Sequence, residues 1–468
     1  MDFLPYLAVP PPIKQIAMTT DINLKALGVE ALTPMQEDMR RSAAQSTHIV
    51  LLSPTGTGKT LAFTLPMLQF VDDTRTQLQT VVIVPTRELA QQNEEVLRRM
   101  KTGLKSTCLY GGRPAMDEHR TIRELHPQVV YATPGRMMDH LDKGNVDGST
   151  VRLLIIDEFD KCVELGFQEE MERLVQRFSA ITNCWLTSAT DAAEIPAFIE
   201  RIGQGTQGGR RPSWTRIDYL AAHTAVEERM QVKVVDVPEK DKLETLGHLL
   251  TSIQGAPAIV FVSHRESVER ICSWLRSQRF HAEAYHGGLE QDTRERALYK
   301  FRSGSANVLV STDLAARGLD IPEVEAVIHY HLPLKQEDFT HRNGRTARWQ
   351  SHGQVFLLKG PLETLPDFVA DPGIEHLQFA SEERIKACKP RYVSIYIGRG
   401  KRDKLSKADV LGFLCKKGGA KATDIGRIDV GPHHAYVALL RAKAKDVLAQ
   451  VAHEKIKGMK TLIEEMRK

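Results

Sequence analysis

Short apolar runs rich in β-branched residues alternate with longer amphipathic stretches, and this rhythm runs through the 468-residue chain twice in succession. In the first half the runs are HIVLL (48–52), TVVIVP (80–85), STCLYGG (106–112), QVVYATP (128–134), VRLLIIDE (151–158) and CWLTSAT (184–190). The second half has QVKVVDV (231–237), APAIVFV (256–262), AEAYHGG (282–288), NVLVSTD (307–313), AVIHYHLP (326–333) and GQVFLLK (353–359). Near-continuous apolar strands require both faces of the sheet to be covered, which is the condition of parallel strands under crossover helices. Helical patterns such as RELAQQNEEVLRRM (87–100) supply those covers. Two tandem doubly wound α/β domains with right-handed crossovers are therefore expected. With 42% hydrophobic and 26% charged residues, the chain can bury such cores, and disordered or fibrous classes are excluded.

The rhythm divides the chain into a first domain (1–218), a linker (219–229), a second domain (230–376), a second linker (377–390) and a third domain (391–468). GQGTQGGRRPS (203–213) reads as a loop late in the first domain. The third domain is compositionally distinct. It holds 18 Lys and Arg against 8 Asp and Glu, a net of +10, so the rest of the chain is at −6 when the whole is at +4. A basic tail on a mildly acidic body points to an anionic partner, nucleic acid before membrane. On charge alone, a solvated basic surface explains the tail equally well. The six cysteines show no CxxC pairing, so neither a disulfide framework nor a zinc site is indicated. The acid and prolines of MDFLPYLAVPPPIKQ make a poor signal peptide, and no run approaches the roughly 18 apolar residues of a membrane span. A cytoplasmic, monomeric protein without membrane contact is the expectation.

SPTGTGKT (53–60) follows one predicted strand and opens a helical pattern, the context in which a glycine-rich loop cradles phosphates. Thr55, Gly56, Thr57 and Gly58 would turn backbone N–H groups toward one point, Lys59 would reach the β- and γ-phosphates of ATP, and Thr60 would ligate Mg2+. DEFD (157–160) closes another strand at its C-terminal edge, where open α/β sheets bind ligands. There Asp157 would hold the metal and Glu158 would position and deprotonate the attacking water. HRNGRTAR (341–348) places Arg345 and Arg348 on one side of a helical turn, as two fingers able to neutralise a transferring phosphoryl group.

In this order the motifs resemble the DEAD-box family of ATP-dependent RNA helicases over nearly the whole chain. The matches are LTPMQ (32–36), SPTGTGKT, PTRELA (85–90), Gly111–Gly112, TPGR (133–136), DEFD, SAT (188–190), VFVSHRESVERI (260–271), YHGGLEQDTRER (285–296), STDLAARGLDIP (311–322) and HRNGRTAR. The resemblance implies RecA-like domains, with Gln36 on the adenine edge and Thr33 beside it. It puts Gly318 and Asp320 near the nucleotide on domain closure. It implies backbone RNA contacts by Pro85, Thr86, Arg87, Gly112, Thr133 and Arg136 in the first domain, and by His264, Arg265, Gly287, Thr312, Asp313 and Arg317 in the second. Such contacts carry no sequence information. Ser188 and Thr190 resemble the link between hydrolysis and RNA binding, with Asp160 and His341 as partners.

The chain departs from the family at Phe159, where the motif has alanine, and at Asn343, where it generally has an apolar residue. The family's adenine-stacking aromatic also lacks a counterpart, since no Phe, Tyr or Trp lies between Tyr6 and Phe63. The third domain reads as strand (392–398), helix (406–419), strands (425–439), helix (441–453) and a closing segment, a small α+β fold of the RNA-recognition-motif kind. DIGRID (424–429) and HAYVAL (434–439) resemble the RNA-binding domain of the DbpA-type subgroup, which implies structured ribosomal RNA and large-subunit assembly. Lys401, Arg402 and Lys404 give its electrostatic footprint. Three readings are open: a helicase opening short RNA duplexes; an RNA clamp or scaffold with weak ATPase, favoured by Phe159; and a DNA translocase, disfavoured by PTRELA, SAT and the tail.

Overall fold

The structure, a computed structural model, describes residues 24–54, 56–112, 115–164, 166–191, 195–202, 213–220, 230–313, 324–346, 353–369, 373–379 and 384–466. The anticipated loop at 203–213 and linker at 219–229 lie almost wholly outside these.

The first domain is a seven-stranded parallel sheet of β1 (His48–Leu52), β2 (Thr80–Ile83), β3 (Ser106–Leu109), β4 (Val129–Ala132), β5 (Leu153–Ile156), β6 (Asn183–Ser188) and β7 (Trp214–Asp218). The spatial order is β3-β4-β2-β5-β6-β1-β7. Its helices are α1 (Pro34–Ala43), α2 (Lys59–Met67), α3 (Arg87–Arg99), α4 (Ala115–Leu125), α5 (Pro134–Asp142), α6 (Phe159–Glu164), α7 (Gln168–Arg177) and α8 (Ala197–Glu200). Successive strand residues serve opposite faces, as the two-residue period demands. Ile49, Leu51, Val82, Ile155 and Trp185 pack with Met39, Phe63 and Leu97 from α1–α3. Val81, Ile83, Leu154, Ile156 and Leu186 pack with Met137, Leu141, Cys162 and Met171 from α5–α7. Each fully buried aliphatic of this kind contributes about 1.5–3 kcal/mol of burial free energy. Strand β7 was not anticipated. Its residues are half-exposed at the sheet edge, so it lacks the apolar run that marks the inner strands.

The second domain repeats the plan with β8 (Met230–Asp236), β9 (Ala258–Val262), β10 (Ala282–Tyr285), β11 (Val308–Thr312), β12 (Ala326–His329), β13 (Gly353–Lys359) and β14 (Glu375–Leu377). The order is β10-β11-β9-β12-β13-β8-β14, again parallel throughout. Its described helices are α9 (Leu243–Ser252), α10 (Arg265–Ser277), α11 (Gln291–Arg302) and α12 (Gln336–Asn343). The third domain has β15 (Tyr392–Ile397), α13 (Lys407–Lys416), β16 (Ile425–Val430), β17 (Ala435–Leu440), α14 (Arg441–Val451), a small hairpin of β18 (Lys455–Ile456) and β19 (Met459–Lys460), and β20 (Ile463–Glu465). Its antiparallel sheet runs β16-β17-β15-β20, with Val393, Ile395, Ile397, Val437 and Leu439 facing the helices.

The other face of that small sheet rests on the second domain. Tyr299 of α11 donates its hydroxyl to the Arg427 carbonyl (2.6 Å), and its ring lies 5.0 Å from that of Tyr436. Ser303 and Ser394 hydroxyls meet at 3.4 Å, and the Arg296 guanidinium stands 5.9 Å from the Tyr396 ring. The segment read as a second linker follows the same surface: Ile385 packs into the second domain's core, and Asn307 donates to the Cys388 carbonyl (3.4 Å).

Candidate functional site

Sheet order sorts the first domain's motifs into two neighbouring groups. Strands β5, β6 and β1 are adjacent, so the loops that follow them bring residues 53–60, 157–160 and 188–190 to one stretch of the sheet's C-terminal edge. The loop is pinned to that edge, because Ser53 N donates to Ser188 O (3.0 Å) and Ser53 and Thr57 hydroxyls meet at 2.8 Å. Gly58 has φ +94°, the left-handed region that glycine enters without strain, and a Cβ there would lie 2.6 Å from Gln36 Nε2. Gln36 therefore approaches the loop directly. Its Nε2 donates to Gly58 O (3.3 Å) and its Oε1 accepts from Thr33 N (2.9 Å), while Thr33 caps α1 in return. The expected adenine contact would use the amide's second donor and second lone pair.

Lys59 is buried, with Nζ 2.6 Å from Ser53 O and 3.0 Å from Pro54 O. Thr60 Oγ1 donates to Asn93 Oδ1 (3.0 Å), and Asn93 Nδ2 donates to Asp157 Oδ2 (2.8 Å). Thr187 donates to the other Asp157 oxygen at 2.5 Å. One side chain thus ties the loop hydroxyl to the strand-edge carboxylate. Sequence reasoning missed Asn93. The available signal was a polar residue between Ala90 and Leu97 on the buried face of α3. Thr60 and Asp157 offer hard oxygen donors, which suit Mg2+ sharing its shell with water and phosphates. Glu158 follows with φ +51°, a left-handed position that costs a non-glycine residue roughly 1–2 kcal/mol. Such strain at a turn between strand and helix sets the direction of its carboxylate. Phe159 turns the other way into the core with Met137, Ile156 and Phe198, so packing accounts for the residue that favoured the clamp reading.

Asp160 is buried, which raises its pKa above the ordinary carboxylate value, and it accepts from Thr190 Oγ1 (3.0 Å). Ser188 Oγ in turn donates to Thr190 O (2.6 Å). This joins three of the four residues expected to couple hydrolysis to RNA. The fourth, His341, is buried in the second domain.

Strands β3, β4 and β2 carry the other group. Thr86 caps α3 by accepting from Leu89 N (3.3 Å), a contact worth about 1 kcal/mol, and leaves Pro85 and Arg87 at the strand's end. Arg87 lies across Gly112, whose φ of +90° and missing side chain admit the guanidinium. Thr133 opens α5, and Arg136 on its first turn donates Nε to Glu118 Oε2 (2.6 Å).

In the second domain His264 opens α10, followed by Arg265, and Gly287 follows β10 beside His286, which bonds Glu269 (2.7 Å). Thr312 ends β11. Asp313, expected to face RNA, accepts at both oxygens from buried Arg342, from Nε at 2.5 Å and Nη2 at 2.8 Å. A buried guanidinium requires such a carboxylate, so Asp313 also braces Arg342. Arg342 Nη1 also donates to His331 O (2.8 Å) and meets His329 Nδ1 (3.1 Å), while His329 Nε2 reaches Asn343 Oδ1 (2.9 Å). The polar residue at 343 thus has a buried partner. Arg345 follows this network and is itself buried. In the third domain Lys401, Arg402 and Lys404 are exposed on one loop, held by Lys401 N to Gly431 O (2.8 Å) and Arg402 N to Pro432 O (3.0 Å). Thr55, Arg317, Gly318, Asp320 and Arg348 lie outside the described residues. No described helix is long and apolar enough to cross a membrane.

Comparison with known proteins covers the same ground. The DEAD/DEAH box helicase family profile matches residues 33–197, the helicase conserved C-terminal domain 241–350, and the DbpA RNA binding domain 394–465. The chain is 33% identical over 443 residues to the ATP-dependent RNA helicase DbpA of Escherichia coli (strain K12), covering 93% of this chain and 94% of that one. It is 28% identical over 474 residues to the Bacillus subtilis (strain 168) protein of the same name, covering 95% and 97%. In fold it resembles S. cerevisiae Dbp5 bound to RNA and ADP BeF3, with a TM-score of 0.65, 24% identity, and coverage of 76% of this chain and 92% of that one.

Proposed function

The chain belongs to the DEAD-box family of ATP-dependent RNA helicases, of the DbpA type, and from that premise we propose that it opens short duplexes in structured ribosomal RNA during large-subunit assembly. It acts in this reading as a cytoplasmic monomer on RNA or pre-ribosomal particles, with ATP and Mg2+ as cofactors. The observation that carries the ATP site is the chain Thr60–Asn93–Asp157, which unites the glycine loop with the strand-edge carboxylate. Mg2+ held by Thr60 and Asp157 would neutralise phosphate charge. Lys59 exchanges the Ser53 and Pro54 carbonyls for the β- and γ-phosphates. Glu158 takes the proton of the attacking water, and Arg345 with Arg348 answers the charge that develops on the phosphoryl group. Thr86, Arg87, Gly112, Thr133 and Arg136 grip one RNA strand by its backbone, as His264, Arg265, Gly287 and Thr312 do in the second domain. Arg317 belongs to this set by resemblance.

Targeting falls to the third domain, whose charge is opposite to that of the body. The test is RNA-stimulated phosphate release and RNA binding by the full chain over a salt series, with large-subunit ribosomal RNA fragments and unrelated structured RNA. Replacing Lys401, Arg402 and Lys404 by Glu should weaken binding to the ribosomal fragment and flatten its salt dependence by about three phosphate contacts. Equal affinity for both RNAs in the unaltered chain would sink the ribosomal assignment, and an unchanged salt slope would sink the role of the three cations.

A further inference from the structure

Between the two RNA-facing loops of the first domain lies a carboxylate that no motif includes. Glu118 projects from α4 toward the sheet and is only 6% exposed. Its Oε1 accepts from Tyr110 N (3.2 Å), the last residue before the glycine pair. Its Oε2 accepts from Arg136 Nε (2.6 Å) and meets His140 Nε2 (2.9 Å). Asn145 Nδ2 lies 3.1 Å from the other ring nitrogen of His140. With that nitrogen accepting from the amide, Nε2 is the ring nitrogen that donates to Glu118. Burial works to raise the Glu118 pKa, but hydrogen bonds from His140, Arg136 and the Tyr110 amide outweigh it and hold the group below the ordinary carboxylate value. One charged group therefore receives donors from the loop after β3 and from the first two turns of α5, which follows β4.

We propose that Glu118 is a positioning residue that sets the spacing between the Gly111–Gly112 turn and Arg136, and so governs RNA affinity without touching RNA. This rests on the reading of Gly112 and Arg136 as RNA contacts. Adjacent phosphates along a strand sit at a fixed repeat, so two grips on it are useful only at a matching separation. Glu118 supplies a common anchor for both. Of the five donors an arginine offers, Nε is held by Glu118 and Nη1 meets Asp139 (3.4 Å). The anchor must be a carboxylate. A glutamine presents one acceptor end and one donor end. Whichever way the amide turns, it faces either the Tyr110 N–H or the Arg136 and His140 donors with a donor of its own.

Glu118→Gln in the full chain should raise the RNA concentration for half-maximal ATPase about tenfold, keep kcat at saturating RNA within about twofold, and leave the KM for ATP unchanged. A merely structural role predicts a lower melting temperature and a lower kcat instead, and that outcome overturns the proposal. Arg136→Ala tests the reading beneath it. If that variant does not shift half-saturation, Arg136 is not an RNA contact and the reading fails on its own account. If Arg136→Ala shifts it and Glu118→Gln does not, the reading survives and this proposal falls. In the double variant the effect of Glu118→Gln should shrink, because its principal client is gone, whereas full additivity counts against the anchor. Should Glu118→Gln fail to fold, Glu118→Asp takes its place. It keeps the charge but is too short to reach both sides, so an unchanged half-saturation there also overturns the proposal.

Discussion

The first and second domains share one strand order, position for position: β3-β4-β2-β5-β6-β1-β7 against β10-β11-β9-β12-β13-β8-β14. The loops at the strand ends are shared only in part. β2 and β9 both lead into a helix through a short polar cap that ends in arginine, Thr86–Arg87 in one and His264–Arg265 in the other. β3 and β10 are both followed by a glycine pair, 111–112 and 287–288. The half of the edge that carries the expected RNA-backbone contacts is duplicated. The half that carries the glycine loop is not. β1 leads into the glycine loop with Lys59, whereas β8 leads into VPEKDK, which has no glycine. There Lys242 is buried and its Nζ is consumed by Tyr330 O (3.0 Å), Leu358 O (2.7 Å) and Glu363 Oε2 (2.5 Å). Burial lowers the Lys242 pKa while Glu363 opposes that shift. A lysine in matching topology thus closes a glycine loop in one domain and is held by packing partners in the other, and the loop before it sets the difference.

The contrast breaks most visibly at the two lysines. Lys59→Ala, like Glu158→Gln, should lower RNA-stimulated turnover by about a hundredfold or more with the fold intact, measured by phosphate release and calorimetry. Near-normal turnover in either variant would remove the site from the first domain. Arg345→Ala should lower kcat by roughly tenfold or more while the KM for ATP changes little, since a finger acts on charge that develops in the transition state. An unchanged kcat at saturating RNA would reduce Arg345 to a buried structural residue. Lys242→Met should leave nucleotide affinity alone and destabilise the second domain by about 3 kcal/mol, because Glu363 and two carbonyls lose their partner. Denaturant unfolding checks it, and a loss of nucleotide binding would mean that the lysines are not divided as described.

The smallest effect concerns acid. Burial, reinforced by Arg342, lowers the His329 pKa to about 3. The folded state thus keeps this ring neutral, whereas the unfolded chain binds its proton below about pH 6.5. Stability is complete well above that value and declines as pH falls through it toward 3, by about 1.4 kcal/mol at pH 5.5. His329→Asn should remove that part of the pH dependence between 7.5 and 5.5. An identical loss in the variant would assign the dependence elsewhere.

The inner strands were legible because each is an uninterrupted apolar run, and the glycine loop and DEFD because strand, loop and helix succeed one another in the residues themselves. β7 and β14 were not legible, since an edge strand with one wet side carries no such run. Asn93 and Arg342 escaped for a different reason. Their partners lie 64 and 29 residues away, on strands whose adjacency only the sheet order reveals. Phe159 looked like a disturbance of the metal site because neighbours in sequence were read as neighbours in space, although the turn at Glu158 sends its side chain into the core.

The resting of the third domain on α11 bears on how this protein can be dissected. Tyr299 is 3% exposed because Tyr436 and the Arg427 carbonyl cover it. A chain cut after residue 390 would shed more than basic charge. It would bare an aromatic ring, strip a hydroxyl of its acceptor, and leave Ile385 and Ala387 at a loose end. Poor solubility or sluggish turnover in such a fragment would then record a wounded surface, not a missing recognition domain. Substitutions in the intact chain separate the two, and truncation confounds them.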